Sequence, residues 1–133
     1  MSIPALELDG IRRTYGSVVA VDDLSLSLAK GEFLTLLGPS GSGKTSTLRL
    51  IGGFERPIAG AIRINGERVD HLPPYARDTA TIFQSGALFP HKTVAENVAY
   101  GLRMRKVEKT DITARVARAL DIVRLSGFET RYP

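Results

Sequence analysis

The 133-residue sequence contains no cysteine, so neither a disulfide nor a thiolate metal site is available to it, and a reducing compartment such as the cytoplasm suits it. No stretch approaches the roughly 18 apolar residues that cross a bilayer. The opening Met1-Ser2-Ile3-Pro4-Ala5-Leu6-Glu7 has neither the basic nor the apolar part of a secretory leader, so a soluble chain is expected. A basic excess is missing from most of the chain as well. Residues 1–102 hold ten Lys/Arg against ten Asp/Glu, and residues 103–133 hold eight against four, so the whole net charge of +4 lies at the C-terminal end. That segment suits a solvated helix face, or an anionic lipid or nucleic-acid partner. Few aromatics accompany these basic residues, which weighs against single-stranded nucleic acid. With 43% hydrophobic residues the chain is long enough for one compact domain.

What the sequence does contain is Gly38-Pro39-Ser40-Gly41-Ser42-Gly43-Lys44-Thr45, which fits the phosphate-binding P-loop pattern G-x-x-x-x-G-K-[ST]. An apolar run, Phe33-Leu34-Thr35-Leu36-Leu37, precedes it and predicts a strand. Ser46 to Ile51 follows and predicts a helix starting near Gly43, with Leu48 and Ile51 on one face and Gly52-Gly53 at its end. Glycines let backbone N–H groups turn inward as an anion nest at the positive end of that helix. Lys44 is expected to reach the β/γ-phosphates of a nucleoside triphosphate, and the Thr45 hydroxyl to ligate Mg²⁺.

Around this motif, residues 3–11 and 18–28 read as two strands joined by Tyr15-Gly16-Ser17, with a polar interruption at Asp22-Asp23. Ala61-Ile62-Arg63-Ile64 and Glu67-Arg68-Val69 flank Asn65-Gly66, a type I′ hairpin signal. Thr79-Ala80-Thr81-Ile82-Phe83 is a short strand candidate beside the P-loop strand. Beyond Pro90 the period becomes helical. Thr93 and Glu96 form a capping box ahead of Val98, Ala99 and Leu102. A second helix is predicted with Thr110 as N-cap, an apolar stripe of Ile112, Val116, Leu120 and Val123, and a stop at Ser126-Gly127.

Three segments in this order resemble the ATP-binding subunits of ABC transporters: Tyr15 to Asp23, Gly38 to Thr45, and Phe83-Gln84-Ser85-Gly86-Ala87-Leu88-Phe89-Pro90-His91. The likeness covers nearly the whole chain. It implies an α/β fold: the N-terminal part of an ABC-type P-loop NTPase domain, with an antiparallel β subdomain, a P-loop core strand and helix, and the start of a helical subdomain. The organisation expected is 1–92 for the nucleotide-binding core and 93–133 for the partial helical subdomain. By resemblance Tyr15 is the aromatic that stacks on adenine, and Gln84 is the Q-loop glutamine that meets Mg²⁺ or the attacking water at a hinge. The resemblance makes Lys44 and Gln84 catalytic and Thr45 and Gln84 the metal-facing pair. It places Tyr15, Ala20, Gly38, Ser40, Gly41, Ser42, Gly43, Lys44, Thr45 and Ser46 around ATP. Ala87, Leu88 and Phe89 either dock a permease subunit or tuck into the domain's own core.

Among subfamilies, Gly31 to Leu37, Ala87 to His91 and Asn97 to Met104 are similar to bacterial importers that use a binding protein. The polyamine class is the best match, with iron(III), glycerol-phosphate and sugar importers open. Gly86 and Lys92 depart from that group, which more often has an aromatic residue and a methionine there. The implied partners are permease subunits, a second ATP-binding subunit in a head-to-tail dimer, and indirectly an external substrate-binding protein, at the cytoplasmic face of the inner membrane; no nucleic-acid partner is implied. The L-S-G-G-Q signature, the Walker B strand, its following glutamate and the switch histidine are not in these residues, and neither His71 nor His91 matches that histidine. A fragment that binds nucleotide but hydrolyses it poorly is therefore expected, with exposed apolar faces on its core strand. The other readings are a non-catalytic nucleotide-binding module and a soluble ABC-type ATPase acting on nucleic acid.

Overall fold

Asn65 and Gly66 both adopt positive φ, 51° and 86°, as the predicted type I′ turn requires. The hairpin they close belongs to a four-stranded antiparallel sheet in the computed structural model, which describes residues 3–133. Its strands are β1 (Leu6–Tyr15), β2 (Val18–Leu28), β3 (Ala59–Ile64) and β4 (Glu67–Arg68), in the order β2-β1-β3-β4. β1 runs four residues beyond its predicted end. One helix, α1 (Lys44–Gly52), and a single 3₁₀ turn at Pro74–Ala76 complete a first compact unit, which ends at Thr81.

Alternation, with the irregularity between Leu8 and Ile11 shifting β1 by one residue, brings Leu8, Ile11, Val21, Ile62 and Ile64 together in a core with Leu50 of α1 and Val69. Leu8, Ile11, Leu50 and Ile62 are fully buried, each contributing about 1.5–3 kcal/mol. The helix face differs from the expected one: Leu50 and Thr47 are buried, whereas Leu48 is exposed. The end of α1 is as expected, since Gly53 takes the left-handed C-cap position at φ 80°.

β2 is not regular. Arg13 pairs with Val21 but Thr14 pairs with Val19, so Ala20 is an extra residue, a bulge that turns its backbone out of the ladder. A second irregularity, at Asp22-Asp23, gives Asp23 a φ of 47° and matches the polar interruption in the sequence.

Neither Phe33–Leu37 nor Thr79–Phe83 forms the predicted strand. A strand is stable only when a neighbour accepts and donates along its ladder, and among the described residues no strand pairs with either segment. Phe33 and Leu37 are each 91% exposed and Ile82 is 99% exposed. The apolar faces expected to be exposed are so, but without strand geometry.

The second unit, Ile82–Pro133, contains α2 (Val94–Met104) and α3 (Lys109–Ile122). The capping box is formed: the Glu96 amide donates to the Thr93 hydroxyl at 3.2 Å, and the Thr93 amide to the Glu96 carboxylate at 2.8 Å. Two further amides of the first turn, Val94 and Ala95, donate to the carbonyls of Arg131 and Glu129. Ala99, Val116 and Leu120 are the buried contacts between the helices, with Ile112 packed against them. Val123 falls beyond the stripe and is exposed. The N-cap of α3 is Glu108 rather than Thr110: the extended backbone of Glu108 starts the helix two residues earlier and leaves Asp111 in the first turn to complement its positive end.

Candidate functional site

The chain between Leu37 and α1 turns at Ser40-Gly41 and enters the helix through Gly43, whose φ is 89°. No side chain caps α1, and its first turn carries no acidic residue. The amides of Lys44, Thr45 and Ser46 have no acceptor within the helix, so the helix start presents donors and positive potential to an anion. Thr47 is turned away from this face: it is buried, and its hydroxyl donates to the Gly43 carbonyl at 2.9 Å.

Lys44 folds across the loop. Its ammonium donates to the carbonyl oxygens of Gly38 at 2.6 Å and Pro39 at 2.8 Å, and to the Ser42 hydroxyl at 3.1 Å. Those bonds hold the positive charge over the loop rather than leaving it on a free tether. Gly38 contributes its carbonyl to this lock and is not part of the cavity wall. Ser40 to Thr45 of the P-loop, with Ser46 after it, line a cavity of about 510 Å³ together with Tyr15, Val18, Val19 and Ala20. Of the residues assigned to ATP from sequence, only Gly38 falls outside this lining.

Gly43 and Ala20 join the two walls. A β-carbon on Gly43 would stand 2.3 Å from the Ala20 carbonyl oxygen, so the bulge in β2 and the start of α1 fit only because Gly43 has no side chain. Tyr15 also lines the cavity, 41% exposed at the tip of the β1–β2 hairpin. Its hydroxyl donates to the Glu55 carboxylate, and the Arg13 guanidinium lies 5.0 Å from its ring centroid.

At the far end of α1, Arg77 is buried and donates to the Leu50 carbonyl at 2.7 Å, to Ile51 at 2.9 Å and to Leu72 at 3.0 Å. It caps the negative end of the same helix whose start carries the P-loop. Burial pulls its guanidinium below the usual arginine value, with Asp70 opposing the shift. Neither Arg77 nor Glu55 was singled out by sequence reading. An arginine after a Pro-Pro break and a glutamate after Gly-Gly carry no periodic signal.

In the second unit Gln84 lies exposed in a turn closed by the Gly86 amide on the Phe83 carbonyl at 3.0 Å. Ala87 follows at φ 48°, and the two residues after it part company. Leu88 is 58% exposed, whereas Phe89 packs its ring against Tyr100, with centroids 4.7 Å apart. Asn97 pins this loop to α2. Its side-chain oxygen accepts from the Phe89 amide, and its nitrogen donates to the carbonyls of Phe89, Lys92 and Thr93. Among the described residues no group of three or more His, Cys, Asp or Glu could hold a metal ion, and no helix is long and apolar enough to cross a membrane. A hard cation in the P-loop cavity would take its protein oxygen from the Thr45 hydroxyl, which suits an ion that keeps water and phosphate oxygens as its other ligands.

The family model described as ABC transporter matches residues 21–133. The Spermidine/putrescine import ATP-binding protein PotA of Rubrobacter xylanophilus is 51% identical over 129 residues, 97% of this chain and 34% of that protein. The proteins of the same name from Nitratidesulfovibrio vulgaris and Thermobifida fusca are 50% and 48% identical, over 96% and 98% of this chain and 35% of each relative. The chain thus spans about a third of the length of the curated relatives it matches.

Proposed function

We propose, for a chain that belongs to the ABC transporter family, that these residues bind MgATP as the nucleotide grip of an import subunit, with a polyamine as the favoured cargo. The observation that carries this reading is the single cavity lined by Tyr15, Ala20 and Ser40 to Ser46 together. An aromatic ring beside a P-loop suits a ligand with both a planar base and a polyphosphate.

In this reading Tyr15 offers its ring to adenine. The amides of the P-loop and the start of α1 donate to phosphate oxygens, and Lys44 adds a positive charge held by Gly38, Pro39 and Ser42. A magnesium ion, when bound, would neutralise charge on the β- and γ-phosphates, with Thr45 as the residue of the first unit that would hold it. Binding is the task assigned to this chain by itself. Hydrolysis coupled to transport is proposed for the complete subunit, paired head to tail with a second one at the cytoplasmic face of the membrane. The exposed Leu88, beside Ala87, is proposed to meet the permease, and Phe89 to support that loop from within the second unit. A substrate-binding protein would select the cargo.

The test is a calorimetric titration of the 133-residue chain with MgATP and, separately, with inorganic tripolyphosphate. The reading expects ATP to bind more tightly, and Tyr15→Ala to reduce ATP affinity more than tripolyphosphate affinity. Equal affinity for both ligands in the wild-type chain would overturn the assignment of Tyr15 to the base.

A further inference from the structure

Glu55 lies outside the cavity, yet its carboxylate gathers three side chains, among them Tyr15, which lines the cavity. Its carboxylate accepts from the Tyr15 hydroxyl, pairs with Arg13 Nε at 3.3 Å and pairs with an Arg49 terminal nitrogen at 3.2 Å. The Glu55 side chain is 13% exposed, and its charge is matched by the guanidinium groups of Arg13 and the more exposed Arg49. The second oxygen-facing partner is itself anchored: Arg13 donates to the Arg56 carbonyl at 3.0 Å while lying over one face of the Tyr15 ring.

Glu55 is fixed by the backbone. Its amide and that of Phe54 both donate to the Arg49 carbonyl, in the turn that Gly53 makes at the end of α1. Glu55 thus ties the hairpin tip bearing Tyr15 to the C-terminal end of the helix whose N-terminal end is the P-loop. The ring is restrained at its hydroxyl edge by Glu55 and on one face by Arg13. A free tyrosine at a hairpin tip would sample several rotamers, and ordering it on binding would cost part of the stacking free energy.

We propose that Glu55, with Arg13, is a positioning residue that pre-orients Tyr15 as the base platform and so sets the preference for a nucleotide over a bare polyphosphate. This rests on the reading that Tyr15 faces the base. The mechanism is pre-organisation: Glu55 touches no ligand and acts through the Tyr15 hydroxyl.

The test compares MgATP with inorganic tripolyphosphate by calorimetry, using the full 133-residue chain and the variants Glu55→Ala, Tyr15→Phe and the double variant. Glu55→Ala is expected to lower the ATP-over-tripolyphosphate affinity ratio about threefold to tenfold, a fraction of what a base stacked on an aromatic contributes, with its tripolyphosphate affinity unchanged. Tyr15→Phe keeps the ring and removes only the hydroxyl, and is expected to lower the ratio by the same factor. The double variant is expected to fall no further, because the two groups act as one unit. Should Glu55→Ala fail to fold, the Tyr15→Phe ratio decides by itself. A wild-type ratio in Tyr15→Phe, alongside a lost ratio in Tyr15→Ala, would overturn the positioning role and leave Tyr15 as the platform. A wild-type chain with no preference for ATP would overturn both.

Discussion

The Ala20 carbonyl faces the Cα of Gly43 so closely that no side chain fits between them, a β-carbon there standing 2.3 Å from the oxygen. A bulge in one strand and a left-handed glycine at a helix start are thereby made interdependent, and both Ala20 and Gly43 line the cavity.

Gly43→Ala is the direct probe of that contact. Alanine at φ 89° is strained, and its methyl group overlaps a carbonyl that cannot move without disturbing β2. The substitution should destabilise the chain by about 2–4 kcal/mol and should weaken MgATP binding. Urea unfolding followed by circular dichroism gives the first quantity and calorimetry the second. An unchanged midpoint together with unchanged affinity would remove the contact from the account.

Arg77→Leu should leave the Leu50, Ile51 and Leu72 carbonyls without their donor inside the first unit. Losing a buried donor to several carbonyls costs about 2–4 kcal/mol, more than a typical surface substitution. The same unfolding measurement checks it. Because α1 carries the P-loop at its other end, MgATP affinity should fall in the variant even at temperatures where it remains folded.

Acid should loosen both units. Burial acts to raise the Asp70 carboxyl, but Arg68 at 2.8 Å and the Ile62 amide outweigh it, so its folded value lies below the ordinary one. The Thr93 amide holds the Glu96 carboxyl low, and backbone amides do the same for Glu129. A depressed carboxyl contributes stability that is complete above its unfolded value, near 4, and is lost as pH falls through the lower folded value. Stability should therefore be flat between about pH 5 and 7 and decline below about 4. Thr93→Ala removes the cap hydroxyl and should cost about 1 kcal/mol at neutral pH. A melting temperature that rises on acidification would contradict these assignments.

Phe33 and Leu37 leave apolar side chains in solvent on backbone without strand pairing. Such surface predicts self-association. Light scattering should rise with protein concentration, and Phe33→Glu with Leu37→Glu should suppress it. Scattering that is independent of both substitutions would place the association elsewhere.

Local chemistry was the most legible part of the sequence. The type I′ turn at Asn65-Gly66, the capping box at Thr93 and Glu96, and the P-loop itself each need only a few adjacent residues, and all three formed. Leu34 to Leu37 reads as a strand because its side chains favour one, yet pairing depends on a neighbour that no local pattern supplies. Leu50 replaced Leu48 in the core for a similar reason: both fit a helical period, and only the position of the sheet decides between them. Glu55 and Arg77 were illegible because their roles depend on contacts with residues far away in sequence, Tyr15 in one case and Leu50 in the other.

In the proposed function, the cavity lined by Tyr15 and the P-loop takes the nucleotide through the charge of Lys44. Calorimetric titration of MgATP into the wild-type chain and into Lys44→Ala tests it most directly. Saturable binding by the wild type, weakened about tenfold or more in Lys44→Ala through loss of charge-assisted bonds to phosphate, is the expected result. Equal binding by both chains, or no binding by the wild type, would contradict it.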